Sequence, residues 1–376
     1  MDLGFAERLS NVVALTSALA HAGQDDAEAR TQARAFEDEI YKSSNSNHEY
    51  QSMLDKLVAH LEPKVFNEPD PETVSADPDE VLNPEGCQTS TIFKAKDKSW
   101  IAPSPIVALK VTHPATLSPP HNVKREARLL AECHHQRVVP LLETFAESGG
   151  RFVLVFPFLR QDLENLLRTG SLTKRQKSMV FEGLFEALAH IHSLGIIHRD
   201  IKPSNILLEG MDGPMYLIDF GIAWSPRDPD SEAADSKITD VGTTCYRPPE
   251  LLFGHRAYDT SLDMWAAGCV VGEMFKNDGL PIFDGGPLGS ELGLIKSMFT
   301  TLGTPTDETW PTATTYPDWD KVTFKHFDGK PWDSILPGAS PATIDFVSRT
   351  VCFDITQRLT AEDALQHPLR QQLQAV

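Results

Sequence analysis

A charged octapeptide followed by a short acidic motif constrains the fold of this chain more than any other feature. The octapeptide HRDIKPSN occupies residues 198–205, and the motif DFG begins fourteen residues after Asn205, at Asp219. The stretch between them opens with three apolar residues, 206–208. An HRD tripeptide alone is weak evidence, whereas the octapeptide, the apolar stretch and DFG together form a highly specific pattern. The pattern therefore predicts that both motifs contribute to one functional site.

These two motifs resemble the catalytic loop and the metal-binding motif of eukaryotic protein kinases. Phosphoryl transfer in that family depends on positioning and charge neutralisation more than on covalent catalysis. The resemblance implies that Asp200 accepts the hydrogen bond of the substrate hydroxyl and that Lys202 contacts the γ-phosphate of ATP. It also implies that Asn205 and Asp219 bind Mg²⁺, for which oxygen atoms are suitable ligands. Lys202 is typical of Ser/Thr kinases, so we expect transfer to Ser and Thr hydroxyls of a protein substrate.

Two upstream segments extend the resemblance. The run VALK at residues 107–110 is similar to the strand of the phosphate-binding lysine, which implies that Lys110 contacts the α- and β-phosphates. Glu126, in the helix predicted to follow, is the implied partner of this lysine. The run FVLVFPFL at residues 152–159 resembles the last strand of the small lobe and the hinge after it. The implied adenine-binding residues are Ile92, Ala108, Phe156, Phe158, Leu159 and Leu207.

Each of these apolar residues also fits a plain structural core, so their assignment depends on the resemblance. In the family alignment Phe156 is the bulky residue beside the adenine, and Phe158 and Leu159 offer backbone groups to its edge. The remaining three residues enclose the adenine ring. His198 and Phe220 are expected to pack in the core beside the catalytic loop.

Downstream, the run VGTTCYRPPE at residues 241–250 resembles the substrate-side end of an activation segment. The resemblance implies that Thr243 hydrogen-bonds to the catalytic aspartate and lysine. Glu250 is expected to pair with Arg358, and Asp263 to hold the backbone of the catalytic loop from a buried helix. Glu250, Arg358 and Asp263 are thus expected to have structural rather than chemical roles.

Further segments are similar to cyclin-dependent kinases: FLRQDL at residues 158–163, LLFG at 251–254 and LGTP at 302–305. The strongest resemblance is to divergent fungal monomeric kinases that activate cyclin-dependent kinases, which implies such a kinase as a substrate. The run SPPHNVKRE at residues 118–126 replaces the helix signature that recognises cyclins. A requirement for a cyclin is therefore not implied.

The phosphate loop departs from the family pattern. Residues 85–92, EGCQTSTI, contain one glycine where the family has three. Fewer glycines make the loop stiffer and bring side-chain bulk towards the phosphates. A pseudokinase that acts as a scaffold with weakened nucleotide binding is therefore an alternative. Such scaffolds usually lack a catalytic residue, but Lys110, Asp200, Asn205 and Asp219 are all present, so we favour an active enzyme.

The activation segment also departs from the pattern. Arg125 and Arg199 match two of the family's three phosphate-receiving arginines, and Trp224 occupies the third position. The segment carries the acids Asp228, Asp230, Glu232 and Asp235. We favour a solvated, mobile acidic loop, and the alternative is a carboxylate that replaces the activating phosphate. We predict activity without phosphorylation of this segment, in which Thr239 is the nearest candidate phosphosite.

The sequence predicts three regions. Residues 1–66 form a helical N-terminal extension, 67–80 an acidic, Pro-containing linker, and 81–372 a protein kinase domain. The fold class is α+β, a bilobal protein kinase fold with a small sheet-rich N-lobe and a large helical C-lobe. Strands are expected at 91–95, 106–111 and 152–156, and a helix at 122–133. For the extension we favour an amphipathic helical segment packed on the main domain, or a loosely ordered tail, over a docking or regulatory module.

The net charge is −19. Such a chain repels nucleic-acid phosphates and anionic lipids, so we expect neither nucleic acid nor membrane as a partner. The five cysteines are few and scattered, which favours a reducing compartment over a disulfide framework. We therefore expect an intracellular protein of the nucleus, the cytoplasm or both.

Overall fold

The structure is a computed structural model of the chain. It describes residues 8, 11, 12, 15, 16, 19, 26–44, 50, 53, 54, 90–96 and 106–375, except 148, 211, 212, 277, 287 and 288. The chain divides into two compact units, residues 1–115 with 143–155, and residues 116–142 with 156–376. Each unit contains its own hydrophobic clusters.

The first unit contains a four-stranded sheet in the order β1-β2-β4-β3. Its strands are β1 (Ser90–Lys96), β2 (Ile106–Thr112), β3 (Glu143–Ala146) and β4 (Phe152–Pro157), whose last two residues belong to the second unit. β1 pairs with β2 and β3 with β4, both antiparallel. Val107, Leu109 and Val111 are buried in one cluster because alternate residues of a strand share a face. The three predicted strands are present, and each is one or two residues longer than predicted.

An N-terminal helix precedes the sheet. Helix α1 spans Asp26–Ser43, and the described residues between 8 and 19 are also helical. Their apolar side chains, which include Leu15 and Ala33, form one cluster with Tyr50. A small cavity is lined on one side by Val12 and residues of α1 and on the other by residues 93–95 of β1. Because residues of the extension and of the sheet line the same cavity, this arrangement favours a packed extension. The rest of the helical extension predicted for residues 1–66, and the linker predicted at 67–80, lie outside the described residues.

The second unit is largely helical. Its described helices are α2 (Val123–Glu132), α3 (Leu163–Arg168), α4 (Lys174–Ser193), α5 (Pro249–Leu252), α6 (Ser261–Phe275), α7 (Glu291–Leu302), α8 (Trp332–Ile335), α9 (Pro341–Thr350), α10 (Ala361–Gln366) and α11 (Pro368–Gln374). A small antiparallel sheet joins β5 (Gln161–Asp162), β6 (Ile206–Leu208) and β7 (Met215–Leu217). The predicted α+β fold, with a sheet-rich N-lobe, a helical C-lobe and an N-terminal helix, is confirmed.

Helix boundaries in this unit follow the capping residues. Asn122 caps α2 by accepting a hydrogen bond from the Arg125 amide at 3.0 Å, so the helix predicted from residue 122 begins one residue later. Thr173 and Gln176 form a reciprocal capping box at the start of α4. Every residue of α6 from Leu262 to Met274 is buried, so this helix carries no polar face. Among the described residues, no helix is both long and apolar enough to cross a membrane.

Candidate active site

The catalytic loop is attached to the buried helix α6 through Asp263. Its Oδ1 accepts a hydrogen bond from the Arg199 amide at 2.9 Å, and its Oδ2 accepts one from the His198 amide at 2.8 Å. His192 Nε2 lies 2.9 Å from the same Oδ2. Burial opposes ionisation, but these hydrogen bonds and nearby imidazoles hold the pKa of Asp263 below its ordinary value. The structural role predicted for Asp263 is confirmed.

Four of the predicted catalytic and metal-binding side chains form one hydrogen-bonded network. Asp200 Oδ1 accepts hydrogen bonds from the amide and the hydroxyl of Thr243, at 3.0 and 2.9 Å. Lys202 Nζ lies 2.9 Å from Asp200 Oδ2 and donates to Thr243 Oγ1 at 2.9 Å. Asn205 Nδ2 donates to the carbonyl oxygen and Oδ2 of Asp200, at 2.8 and 3.1 Å. The carboxylate is thus fixed from two sides.

Backbone contacts join the catalytic loop to the DFG motif. The Ile218 amide donates to the carbonyl oxygen of Asn205 at 3.0 Å, and His198 Nε2 lies 2.9 Å from the Ile218 carbonyl oxygen. The buried ring of Phe220 packs edge-on against His198, with centroids 4.8 Å apart. Asp219 adopts a positive φ of 64°, a strained conformation that the surroundings must hold. His198 and Phe220 are therefore packing residues, as predicted.

In the first unit, the predicted nucleotide-binding residues share one face of the sheet. Ile92 on β1 lies opposite Lys110 on β2, and directly paired residues point to the same side. Ala108, two residues before Lys110, points the same way, away from the buried face formed by Leu109 and its neighbours. The fold thus gives these three side chains a common direction, although their contacts with ATP stay predictions.

The remaining predicted residues lie in the second unit. Phe156 is half-buried on β4, and Phe158 and Leu159 follow it before β5. Leu207 is half-buried on β6. Glu126 is 1 % exposed on α2, and its pairing with the lysine of the first unit stays a prediction.

The acidic part of the activation segment is ion-paired. Arg199 donates to both carboxylate oxygens of Glu232, at 3.0 and 2.8 Å. Arg128 donates to Asp228 at 2.6 and 3.0 Å and to Asp230 at 2.5 Å. The favoured interpretation of a solvated, mobile acidic loop is therefore wrong for these three acids, because the fold brings arginines within reach of them.

Three residues of this region were missed at the level of sequence. Arg128 lies three residues after Arg125 on the same face of α2, a spacing that could have revealed it. The contacts of Tyr258 and Lys237 could not be predicted from the sequence, because both side chains donate to backbone carbonyl oxygens that only the fold brings close. The Tyr258 hydroxyl donates to the Ile238 carbonyl oxygen at 2.6 Å, and Lys237 Nζ donates to the Tyr258 carbonyl oxygen at 2.8 Å.

The substrate-side end of the segment has a tight backbone geometry. Gly242 has φ of 78°, and a Cβ atom there would lie 2.7 Å from the carbonyl oxygen of Arg199, so this position requires glycine. Arg247 Nε donates to the Gly242 carbonyl oxygen at 2.8 Å, and its Nη atoms contact Asp240 and Glu291. Arg247 thus connects this end of the segment to helix α7.

The predicted pair of Glu250 and Arg358 is confirmed. The two Nη atoms of Arg358 donate to the two carboxylate oxygens of Glu250, at 2.5 and 2.7 Å. Both side chains are almost completely buried, with exposures of 0 and 1 %. The pair fixes the end of the activation segment to the C-terminal part of the unit.

Comparisons with known proteins agree with this geometry. The family model described as Protein kinase domain matches residues 87–370. Cyclin-dependent kinase 20 of Danio rerio is 35 % identical over 282 residues, which cover 74 % of this chain and 78 % of that protein. Serine/threonine-protein kinase csk1 of Schizosaccharomyces pombe is 36 % identical over 238 residues, 62 % of this chain and 76 % of that protein. Cyclin-dependent kinase 7 of Xenopus laevis is 35 % identical over 287 residues, 74 and 77 % of the two chains.

Proposed function

We propose a substrate class for this chain, which belongs to the protein kinase family and is a protein Ser/Thr kinase of the cyclin-dependent-kinase-like group. In the proposal, it transfers the γ-phosphate of ATP to a hydroxyl in the activation segment of a cyclin-dependent kinase. The observation that carries the activity is the network of Asp200, Thr243, Lys202 and Asn205. This network fixes the Asp200 carboxylate, which in the proposal accepts the hydrogen bond of the substrate hydroxyl.

The side chains present fit a Mg²⁺–ATP cofactor. Both amide hydrogens of Asn205 are used by Asp200, so its carbonyl oxygen is the atom that can bind a cation. With the carboxylate of Asp219, this gives the small set of oxygen ligands that Mg²⁺ uses when phosphates complete its coordination. Bound Mg²⁺ would neutralise charge on the transferred phosphoryl group, while Lys202 and Lys110 would hold the phosphates.

The support for a cyclin-dependent kinase as the substrate is the resemblance of residues 158–163, 251–254 and 302–305 to kinases that act on, or belong to, that group. Two of the similar proteins are themselves named cyclin-dependent kinases. We also propose an intracellular location, since the scattered cysteines favour a reducing compartment.

The proposed activity is tested with the purified chain, ATP and Mg²⁺, in parallel with the isosteric variant Asp200→Asn. We offer a generic basic protein, a cyclin-dependent kinase, and the same kinase with its activation-segment threonine changed to valine. We expect transfer to the kinase, none to its valine form, and a rate about 10²–10⁴-fold lower for Asp200→Asn, because the amide cannot take the proton of the substrate hydroxyl.

The outcomes separate the levels of the proposal. Transfer to the generic protein but not to the cyclin-dependent kinase would disprove the substrate class alone. Equal transfer by wild type and Asp200→Asn would disprove the catalytic assignment. Absence of transfer from wild type to every substrate would favour the scaffold alternative, which the glycine-poor residues 85–92 suggest.

A further inference from the structure

We infer that Glu232 is the permanent counter-charge of the catalytic-loop arginine and positions the activation segment without phosphorylation. In this position of the segment, Thr243 contacts Asp200 and Lys202. The inference concerns the regulation of the same site and rests on the proposed kinase activity. Glu232 touches no reacting atom, so its role is that of a positioning residue.

The contact between Glu232 and Arg199 has the geometry of a built pair. Both Nη atoms of Arg199 donate to the carboxylate, at 3.0 and 2.8 Å, in the fork arrangement that makes such pairs strong. The Arg199 side chain is 0 % exposed and that of Glu232 is 17 % exposed. A buried guanidinium requires an anion nearby, and Glu232 supplies it from within the chain.

Arg199 also contacts the later part of the segment. Its Nη1 donates to the Tyr258 hydroxyl at 3.0 Å, and that hydroxyl donates to the Ile238 carbonyl oxygen at 2.6 Å. The Arg199 carbonyl oxygen packs against Gly242, where no Cβ would fit. Arg199 therefore contacts Glu232 directly through its side chain, Ile238 through the Tyr258 hydroxyl and Gly242 through its own backbone carbonyl oxygen, and its chain neighbour is Asp200.

The second arginine of the family pattern is engaged in the same place. Arg125 Nη1 lies 4.0 Å from the Glu232 carboxylate and donates to the Asp230 carbonyl oxygen at 3.2 Å. Another of its Nη atoms donates to the Pro120 carbonyl oxygen. Three residues later on α2, Arg128 pairs with Asp228 and Asp230 as described above. The entry of the segment is thus held on α2 by contacts that involve no phosphate.

Trp224 occupies the third position of the family pattern, where the family has a phosphate-receiving arginine, and it contacts Glu232. Trp224 Nε1 donates to the backbone carbonyl oxygen of Glu232 at 2.8 Å. The ammonium of Lys237 lies 4.4 Å from the centroid of the Trp224 ring and donates to the carbonyl oxygen of Tyr258 at 2.8 Å. A phosphate would bring about two negative charges to a pocket that contains two of the family's three arginines. A single carboxylate matches this reduced pocket better.

Ionisation of Glu232 at neutral pH follows from its surroundings. Burial pushes its pKa upward, but the hydrogen bonds and the charge of Arg199, with a smaller effect of Arg125, bring it below its ordinary value of 4.5. The counter-charge is therefore present throughout the range in which the enzyme would work, with no dependence on an upstream kinase.

The test combines wild type treated with phosphatase with the variants Glu232→Gln and Glu232→Asp. The matched control is Asp235→Asn, which removes one charge from an exposed position of the same segment. We expect full activity after phosphatase and in Ser236→Ala/Thr239→Ala. For Glu232→Gln we expect kcat to fall about 10²-fold, because small displacements of a catalytic group cost this much. Glu232→Asp should recover part of the loss, and Asp235→Asn should match wild type.

Phosphatase treatment uses the natural sequence, so its result can overturn the inference even if Glu232→Gln does not fold, which a thermal melt reports. Loss of wild-type activity on phosphatase treatment, with recovery after an upstream kinase, would overturn the inference while leaving the proposed function intact. So would a folded Glu232→Gln variant with wild-type kcat. Absence of transfer by wild type before and after phosphatase would instead overturn the proposed function, and with it the inference.

Discussion

At the scale of single residues, the buried carboxyl group of Glu273 contacts the substrate-side end of the activation segment. Glu273 is 4 % exposed and accepts a hydrogen bond from the Tyr246 hydroxyl at 2.7 Å. Burial raises the pKa of Glu273 to about 7, and the Tyr246 hydrogen bond offsets only part of this effect. Tyr246 lies three residues after Thr243, so the ionisation of Glu273 bears on the anchoring of that end of the segment.

A pH dependence of stability follows from this shift. The pKa of Glu273 is raised from 4.5 to about 7, so the folded state binds more protons than the unfolded state between these values. Its contribution to stability is thus fully present below pH 4.5 and is lost as the pH rises through about 7, a change of roughly 3 kcal/mol. Glu273→Gln keeps an acceptor for Tyr246 but cannot ionise.

The measurement is chemical denaturation of wild type and Glu273→Gln between pH 5 and pH 8 (roughly the range in which such a group titrates). We expect the free energy of unfolding of wild type, relative to that of the variant, to fall as the pH rises. A difference that stays constant over this range would show that Glu273 does not titrate there.

At the scale of elements, helix α6 fixes the catalytic loop through one side chain near its start. Asp263 accepts from two successive backbone amides, those of His198 and Arg199, and both are buried. The second of these residues has φ of 70°, a conformation that a side chain such as arginine adopts only under constraint. The helix therefore supplies the acceptors that hold a strained loop in place.

Asp263→Asn tests this dependence. An amide has one oxygen, so at least one of the two loop amides would lose its acceptor, and we expect a loss of about 1–3 kcal/mol in the free energy of unfolding. The catalytic rate should fall as well, because Asp200 follows the constrained residue. The matched control is Asp259→Asn, an exposed position just before the same helix, for which we expect a change within about 0.5 kcal/mol. Equal stability of the two variants would contradict the role of α6.

At the scale of the whole molecule, sequence reasoning succeeded where family motifs coincide with local structure. The strands around Lys110 and the helix around Glu126 were placed within one residue, because alternation and a capping asparagine mark them. The hydrogen bonds of Thr243 with Asp200 and Lys202, and the pair of Glu250 and Arg358, were predicted from the resemblance to protein kinases. A carboxylate in place of the activating phosphate was only the alternative prediction, and the pairs of Arg128 were missed. Arg128 lies 100 residues before Asp228, and charge patterning cannot show which distant cation the fold brings near.

The buried pair of Glu250 and Arg358 joins parts of the second unit 108 residues apart in sequence, and it carries the last prediction. Glu250→Gln would leave Arg358 as an uncompensated buried charge, so we expect a loss of about 3–5 kcal/mol in the free energy of unfolding. The control is Glu132→Gln, which breaks the exposed pair of Glu132 and Arg227. Their side chains are 32 and 56 % exposed, respectively, so this substitution should cost no more than about 1 kcal/mol.

The double variant Glu250→Gln/Arg358→Gln completes the experiment. Removal of both charges also removes the unpaired guanidinium, so we expect the double variant to be less destabilised than the sum of the two single variants. Denaturant titration of all four proteins and wild type gives the coupling between the two side chains. Strict additivity, or a Glu250→Gln variant as stable as Glu132→Gln, would mean that the end of the activation segment is held by other contacts, such as that of Tyr246 with Glu273.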